Sequence, residues 1–236
     1  MSRRSILPAL LCVLSLAGCN ALQQQSLKGP GWYVVKPTDS LYSVAWRYSL
    51  DFQDLAAWNG ISDPYVIHPG QQLILIQPEH FSTAPKGEVA RSDRPSAAQP
   101  VVVKKLEPSY NQAIVWRWPT KGELLNRFSF KDLDKRGIDI AGKVGQPVFS
   151  VADGKVVYSG TGLADYGNLI IVKHNNTFLS AYAYNSKRLV KEGDEVKRGA
   201  HIADMGIGKE KKPMLHFQVR NRGKPVDPLL YLPEVL

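Results

Sequence analysis

Between Tyr33 and Ile76 the spacing of apolar side chains changes three times, and each change marks an element. Tyr33-Val34-Val35 is a short continuous apolar run of strand character. Leu41, Val44, Ala45 and Tyr48 then recur at the spacing of one helical face, and Leu55, Ala56 and Trp58 repeat it. Leu73-Ile74-Leu75-Ile76 returns to a strand-like run after the Pro69-Gly70 turn signal. The boundaries carry their own chemistry. Asp39 or Ser40 suits the N-cap of the first helix and Asp51 that of the second, while Asn59-Gly60 is a stop signal. The pattern predicts a β-α-α-β unit over 31–76.

From 77 to 112 this periodicity disappears. Pro78, Pro85, Pro95, Pro100 and Pro108 are scattered among Ser, Ala, Gln and charged residues, which reads as an extended flexible linker. Val101-Val102-Val103 is its only strand-like patch. The last segment, 113–236, reads as β-rich and as a second, independently folded unit. Turn signals at Ala152-Asp153-Gly154-Lys155 and at His174-Asn175-Asn176-Thr177 separate runs of Val, Ile and Tyr, including Leu169 to Val172. Gly193 and Gly199 bracket a further short strand pair. After Pro213 the chain alternates, with Leu215, Phe217 and Val219 on one face and Met214, His216 and Gln218 on the other. His174 and His201 read as surface or turn histidines. The expected architecture is multidomain: a small β-α-α-β unit, a Pro-containing linker and a β-rich unit.

The N-terminus adds a compartment. Arg3 and Arg4 precede an apolar run from Ile6 to Ala17, too short to span a bilayer and suited to a signal peptide over 1–18. It ends in Leu16-Ala17-Gly18-Cys19, which resembles a bacterial lipobox. That resemblance implies diacylation of Cys19, a tether over 19–30 and, with Asn20 next, sorting to the outer membrane. The only other cysteine, Cys12, lies in the leader, so the mature chain has neither a disulfide nor a free thiol. Charge is uneven along the chain. Residues 113–236 carry 20 Lys/Arg against 13 Asp/Glu, whereas 31–76 carry 2 against 4. A basic unit in the periplasm points to anionic wall peptides or an acidic partner protein rather than to nucleic acid.

Two segments match known families. The β-α-α-β order, with Leu-Tyr-Ser-Val-Ala-x-x-Tyr and Trp-Asn-Gly-Ile, resembles the LysM domain, although Thr38-Asp39 stands where Gly-Asp is usual. LysM modules bind the N-acetylglucosamine-containing glycan of peptidoglycan. The resemblance places sugar between the loop entering the first helix (Thr38, Asp39, Ser40, Leu41) and the loop leaving the second (Asn59, Gly60, Ile61, Ser62, Asp63, Pro64, Tyr65). The series WRWPTKGELLNRFS, KRGIDIAGKVGQPVFSVADGKVVYSG, YGNLIIVKH, LSAYAYN, VKRGAHIADMG and PMLHFQV resembles the LytM/lysostaphin family of zinc endopeptidases that cut peptidoglycan cross-links. That family takes zinc ligands from His-x-x-x-Asp and the second His of His-x-His, and catalytic histidines from the first His of that pair and a Tyr-x-His segment. Aligned with this chain, those positions read Lys135, Asp139, Tyr184, Met214 and His216, so only Asp139 and His216 are retained.

A catalytic zinc takes about three protein ligands and an open water position. Lysine is a cation at neutral pH and repels the metal, thioether sulfur is a poor zinc ligand, and a tyrosine with pKa near 10 is a poor base. These residues therefore predict no metal, no cofactor and no hydrolysis. Together the two modules and the lipobox resemble the NlpD/EnvC group of division factors. Members with a broken zinc site activate N-acetylmuramyl-L-alanine amidases in septal wall splitting and daughter-cell separation. Two other readings compete: a LytM-type endopeptidase with an unusual site, and a passive outer-membrane-to-wall tether. Under the activator reading, Lys135, Tyr184, Met214 and His216 line a vacated groove with Lys209, Lys211 and Lys212 at its rim.

Overall fold

The computed structural model describes residues 31–77, 113–132, 136–209 and 211–234. The signal peptide, Cys19, most of the linker with Val101-Val102-Val103, and Lys135 lie outside these residues.

The first unit has the expected order: β1 (Trp32–Val34), α1 (Leu41–Tyr48), α2 (Phe52–Trp58) and β2 (Gln72–Ile74). The two strands pair antiparallel, Tyr33 opposite Leu73. Each strand is displaced by a residue or two from the apolar run that predicts it. Ser40 is the N-cap of α1 and forms a reciprocal capping box with Ser43. Asp39, released from capping, turns its carboxylate elsewhere and accepts from Tyr33 Oη at 2.5 Å and from Arg47 at 3.2 Å. Asp51 caps α2 by accepting from Gln53 N, and Gly60 follows the Asn59 C-cap with φ 63°, a conformation suited to glycine.

The second unit is an eleven-stranded antiparallel sheet system among the described residues. Its strands are β3 (Leu124–Asn126), β4 (Ile138–Ala141), β5 (Pro147–Phe149), β6 (Gly154–Gly160), β7 (Leu169–Lys173), β8 (Phe178–Ala183), β9 (Asn185–Arg188), β10 (Glu195–Val196), β11 (His201–Ile207), β12 (Pro213–Asn221) and β13 (Lys224–Val226). The central order is β10-β6-β7-β8-β12-β11-β5. Gly193 and Gly199 bracket one two-residue strand, β10, which pairs with β6, rather than a strand pair. One face of the β6-β7-β8-β12 layer supplies Val156, Ile170, Val172, Tyr182, Leu215, Phe217 and Val219 to a closed core.

The opposite face of that layer decides the architecture. Val157, Leu169, Ile171, Leu179, Ala181 and Ala183 join Leu41, Val44, Trp46, Phe52 and Leu55 in a single hydrophobic cluster. The two units therefore do not stand apart as the linker composition suggests. Helix α1 is buried on two sides, against its own strands and against the large sheet, so Ser43 and Trp46 are buried along with Leu41, Val44 and Ala45 of the expected stripe, while Tyr48 is half-buried. Fixed contacts cross the boundary. Ser40 Oγ donates to Val157 O at 3.1 Å, Arg47 to Gly162 O at 3.1 Å, and Arg136 to Ser49 Oγ at 3.2 Å.

His174 also departs from expectation. It follows β7 in the β7–β8 hairpin but is buried at 6% exposure. Nδ1 donates to Asp153 O at 2.8 Å and Nε2 takes the Ser180 hydroxyl at 2.7 Å, so both nitrogens of a neutral ring are satisfied. Burial pulls its pKa down to about 4. His201 is exposed, as expected, and pairs with Asp204 at 2.8 Å.

Candidate functional site

Sheet register builds the site. Strand β4 pairs with β12 so that Asp139 lies directly opposite His216, and β3 pairs with β4 so that Asn126 lies opposite Asp139. One row of side chains thus crosses three strands, and alternation along β12 puts Gln218 on the same face as His216. The row is closed by hydrogen bonds. Asn126 Nδ2 donates to Asp139 Oδ2 at 2.9 Å, and His216 Nδ1 donates to Asp139 Oδ1 at 2.6 Å. Gln218 Nε2 donates to His216 Nε2 at 2.8 Å. Asp139, His216 and Gln218 are all buried.

This arrangement does not fit a zinc ion. Two donor side chains of the required kind are present where about three are needed, and each is committed to a protein partner. Among the described residues no group of three His, Cys, Asp or Glu side chains comes together. The remaining ligand position of the aligned motif is Lys135, outside the described residues. Among the described residues the partners of Asp139 are Asn126 and His216.

Tyr184 and Tyr166 flank the histidine, with ring centroids 5.8 and 6.1 Å from it. Tyr184 sits just after β8 with φ 62°, a left-handed conformation uncommon for a tyrosine. Its backbone is held there by Tyr184 N to Tyr166 O at 3.0 Å and Gly206 N to Tyr184 O at 2.9 Å. Met214 is buried and packs against Gly208, where a Cβ would collide with its sulfur. It is a filler between β12 and the β11–β12 loop rather than an open groove surface. Lys209 lines the cavity in front of His216, and Lys211 and Lys212 are exposed on the same loop.

That cavity, about 800 Å³, has walls from both units. Tyr33, Arg47 and Leu75 come from the small unit, and Tyr184, His216 and Gln218 from the sheet. Arg220, next on the same face of β12, is buried and stacks on Trp46 of α1. Gln218 was present in the alternating pattern of β12 and was discoverable there. The same alternation reaches Arg220, whereas Asn126 and Tyr166 had no local signal, because strand register and loop packing recruit them.

The sugar-loop residues divide into two groups. Leu41 is fully buried, Ser40 is buried against Val157 O, and Asp39 is engaged by Tyr33 and Arg47. Asn59 braces the small unit: its Nδ2 donates to Leu55 O and Ile74 O at 2.8 and 2.9 Å, and its Oδ1 accepts from Ile74 N at 2.6 Å. Thr38, Gly60, Ser62, Asp63 and Pro64 are exposed, and Ile61 and Tyr65 are half-buried.

Comparison with known proteins gives this geometry a lineage. Residues 33–75 match the LysM domain and residues 134–228 match Peptidase family M23. The chain is 40% identical over 229 residues to the Lipoprotein NlpD/LppB homolog of Pseudomonas aeruginosa, covering 86% of this chain and 77% of that one. It is 38% identical over 224 residues to the Uncharacterized lipoprotein YgeR of Escherichia coli, covering 93% and 89%. It is 36% identical over 259 residues to the Murein hydrolase activator NlpD of Escherichia coli, covering 86% and 68%. A LysM domain followed by a β-rich M23 domain, shared along most of the length of these relatives, makes this chain a member of the NlpD/LppB lipoprotein family.

Proposed function

We propose that the protein is a non-catalytic lipoprotein that binds peptidoglycan through its LysM domain and activates a murein hydrolase of the N-acetylmuramyl-L-alanine amidase class. The observation that carries the non-catalytic reading is the Asn126–Asp139–His216–Gln218 row. Groups that zinc catalysis requires as free ligands instead satisfy one another. Tyr184 and Met214 stand where the peptidase pattern has histidines, and neither is a useful proton carrier at neutral pH. The activator role follows from kinship: relatives sharing this two-domain order include proteins named murein hydrolase activator. A fold can outlive its chemistry as a binding surface.

Attachment through lipidated Cys19 at the periplasmic face of the outer membrane belongs to the same proposal. Among the described residues no helix is long and apolar enough to cross a membrane. The test mixes the purified chain with dyed sacculi, with and without an N-acetylmuramyl-L-alanine amidase. Dye release only with amidase supports the activator. Release by the chain alone makes it a hydrolase, and sedimentation without release makes it a tether.

A further inference from the structure

The face of the LysM domain turned to the large sheet includes part of the surface that its sequence assigns to sugar, namely Ser40, Leu41 and the flanks of Thr38 and Tyr65, while Gly60, Ser62, Asp63 and Pro64 stay exposed. The inner end of the loop entering α1 is covered: Leu41 has no exposed surface, and Ser40 donates to the backbone of β6. Thr38 stands over Gly162, where an added Cβ would lie 2.8 Å from Thr38 Oγ1 and 3.6 Å from its Cβ. The opposite loop is also met by the sheet. Lys173 Nζ of β7 lies 5.9 Å from the Tyr65 ring and 5.0 Å from that of Phe52 beneath it. Val157 and Lys173 thus touch one loop each from the sheet side, and a polysaccharide lying between the loops would meet them.

We infer that the wall glycan and the M23-type sheet are alternative occupants of one LysM face, so that binding glycan displaces the sheet. This inference rests on the reading that the LysM domain binds glycan, and it adds the partner that such binding must displace. The sheet surface released is apolar. Leu169, Ile171, Leu179, Ala181 and Ala183 lie at 5% exposure or less in one cluster with α1, α2, Leu163 and Tyr166, and Ala183 lies opposite His216. An uncovered apolar face of this kind is a binding surface in its own right. Glycan capture at one domain is thereby converted into an exposed surface on the other. The docked state lowers apparent glycan affinity by the fraction of chains left open.

The geometry supplies its own lock. A Cβ–Cβ separation of 3.6 Å between Thr38 and a side chain at 162 suits a disulfide. The experiment uses the full-length mature lipoprotein in detergent, carrying Thr38→Cys and Gly162→Cys, and measures co-sedimentation with sacculi before and after reduction. The oxidised form is expected to bind about tenfold more weakly than the reduced form of the same chain, or worse. A tetramer of N-acetylglucosamine is expected to slow disulfide formation in the reduced chain. Equal binding by both forms, or a closure rate indifferent to the sugar, overturns the competition. A wild-type chain that fails to bind sacculi at all overturns the LysM reading, and the competition with it. Should Thr38→Cys itself weaken the reduced chain, Gly162→Glu decides the matter, since it crowds Thr38 from the sheet side alone. Tighter sacculus binding than wild type supports the inference, and unchanged binding overturns it.

Discussion

Arg220 lies 3.7 Å from the centroid of the Trp46 ring and donates to the carbonyl oxygen of the same residue at 2.7 Å. One side chain of the large sheet thus holds both the face and the backbone of the LysM helix. Burial draws the guanidinium pKa down to about 10, which leaves it a cation at neutral pH. A desolvated cation over an indole is worth about 2 kcal/mol. Next to it, Gly223 packs against the Leu50 backbone so closely that any Cβ there collides with it.

Trp46→Ala is therefore expected to cost more than Arg220→Ala, because it leaves a buried cation without its stacking partner. The loss should be about 3–5 kcal/mol in chemical denaturation. Arg220→Lys should not restore stability, since an ammonium cannot reproduce the planar stack. Full stability in the lysine variant would remove the stacking argument.

His174 should make stability fall on acidification. Its folded pKa, about 4, lies below the ordinary value of 6.5. Between those values the unfolded chain takes up a proton that the folded chain refuses, so stability rises with pH across this window. At pH 7 and above its contribution is complete. It is lost as pH falls from about 6.5 to about 4, on the order of 3 kcal/mol in all. Denaturation of the wild type and of His174→Gln across pH 4–7 checks this, the variant being expected to give the flatter curve.

Extensive dialysis should leave far less than one zinc per chain, measured by elemental analysis. His216→Ala is expected to cost about 1–3 kcal/mol, since Asp139 and Gln218 each lose a buried partner. Zinc added to the wild type should leave its melting temperature unchanged. A rise on zinc addition would mean that the Asp139–His216 pair opens to admit metal.

Membrane attachment should depend on Cys19. Under the proposed lipid anchor, Cys19→Ala is expected to leave outer-membrane fractions after a salt wash, because acyl chains hold a protein to a bilayer where charge alone does not. Retention of the variant in those fractions would call for a different anchor.

The capped helices of the LysM unit were legible because their signals are local. Asp51 and Asn59-Gly60 act within a turn of themselves, and the Leu41–Val44–Ala45–Tyr48 stripe reports one face of one helix. Ser40 rather than Asp39 takes the cap of α1, since Asp39 is drawn away by Tyr33 and Arg47 from β1 and from the last turn of α1. The alternation of β12 likewise placed His216 and Gln218 together before any partner strand was known.

By itself the sequence determined the two modules and their order, both carried by contiguous motifs and short-period patterns. Tertiary structure decided the rest. The Asn126–Asp139–His216 row depends on the register of three strands whose paired residues are up to 77 positions apart. The burial of His174 depends on Ser180 and on the Asp153 carbonyl folding over it. The docking of α1 depends on an apolar sheet face that alternation alone cannot tell from ordinary core. A strand with apolar residues on both sides states that both faces are covered, and only the packed chain reveals that a second domain covers one of them.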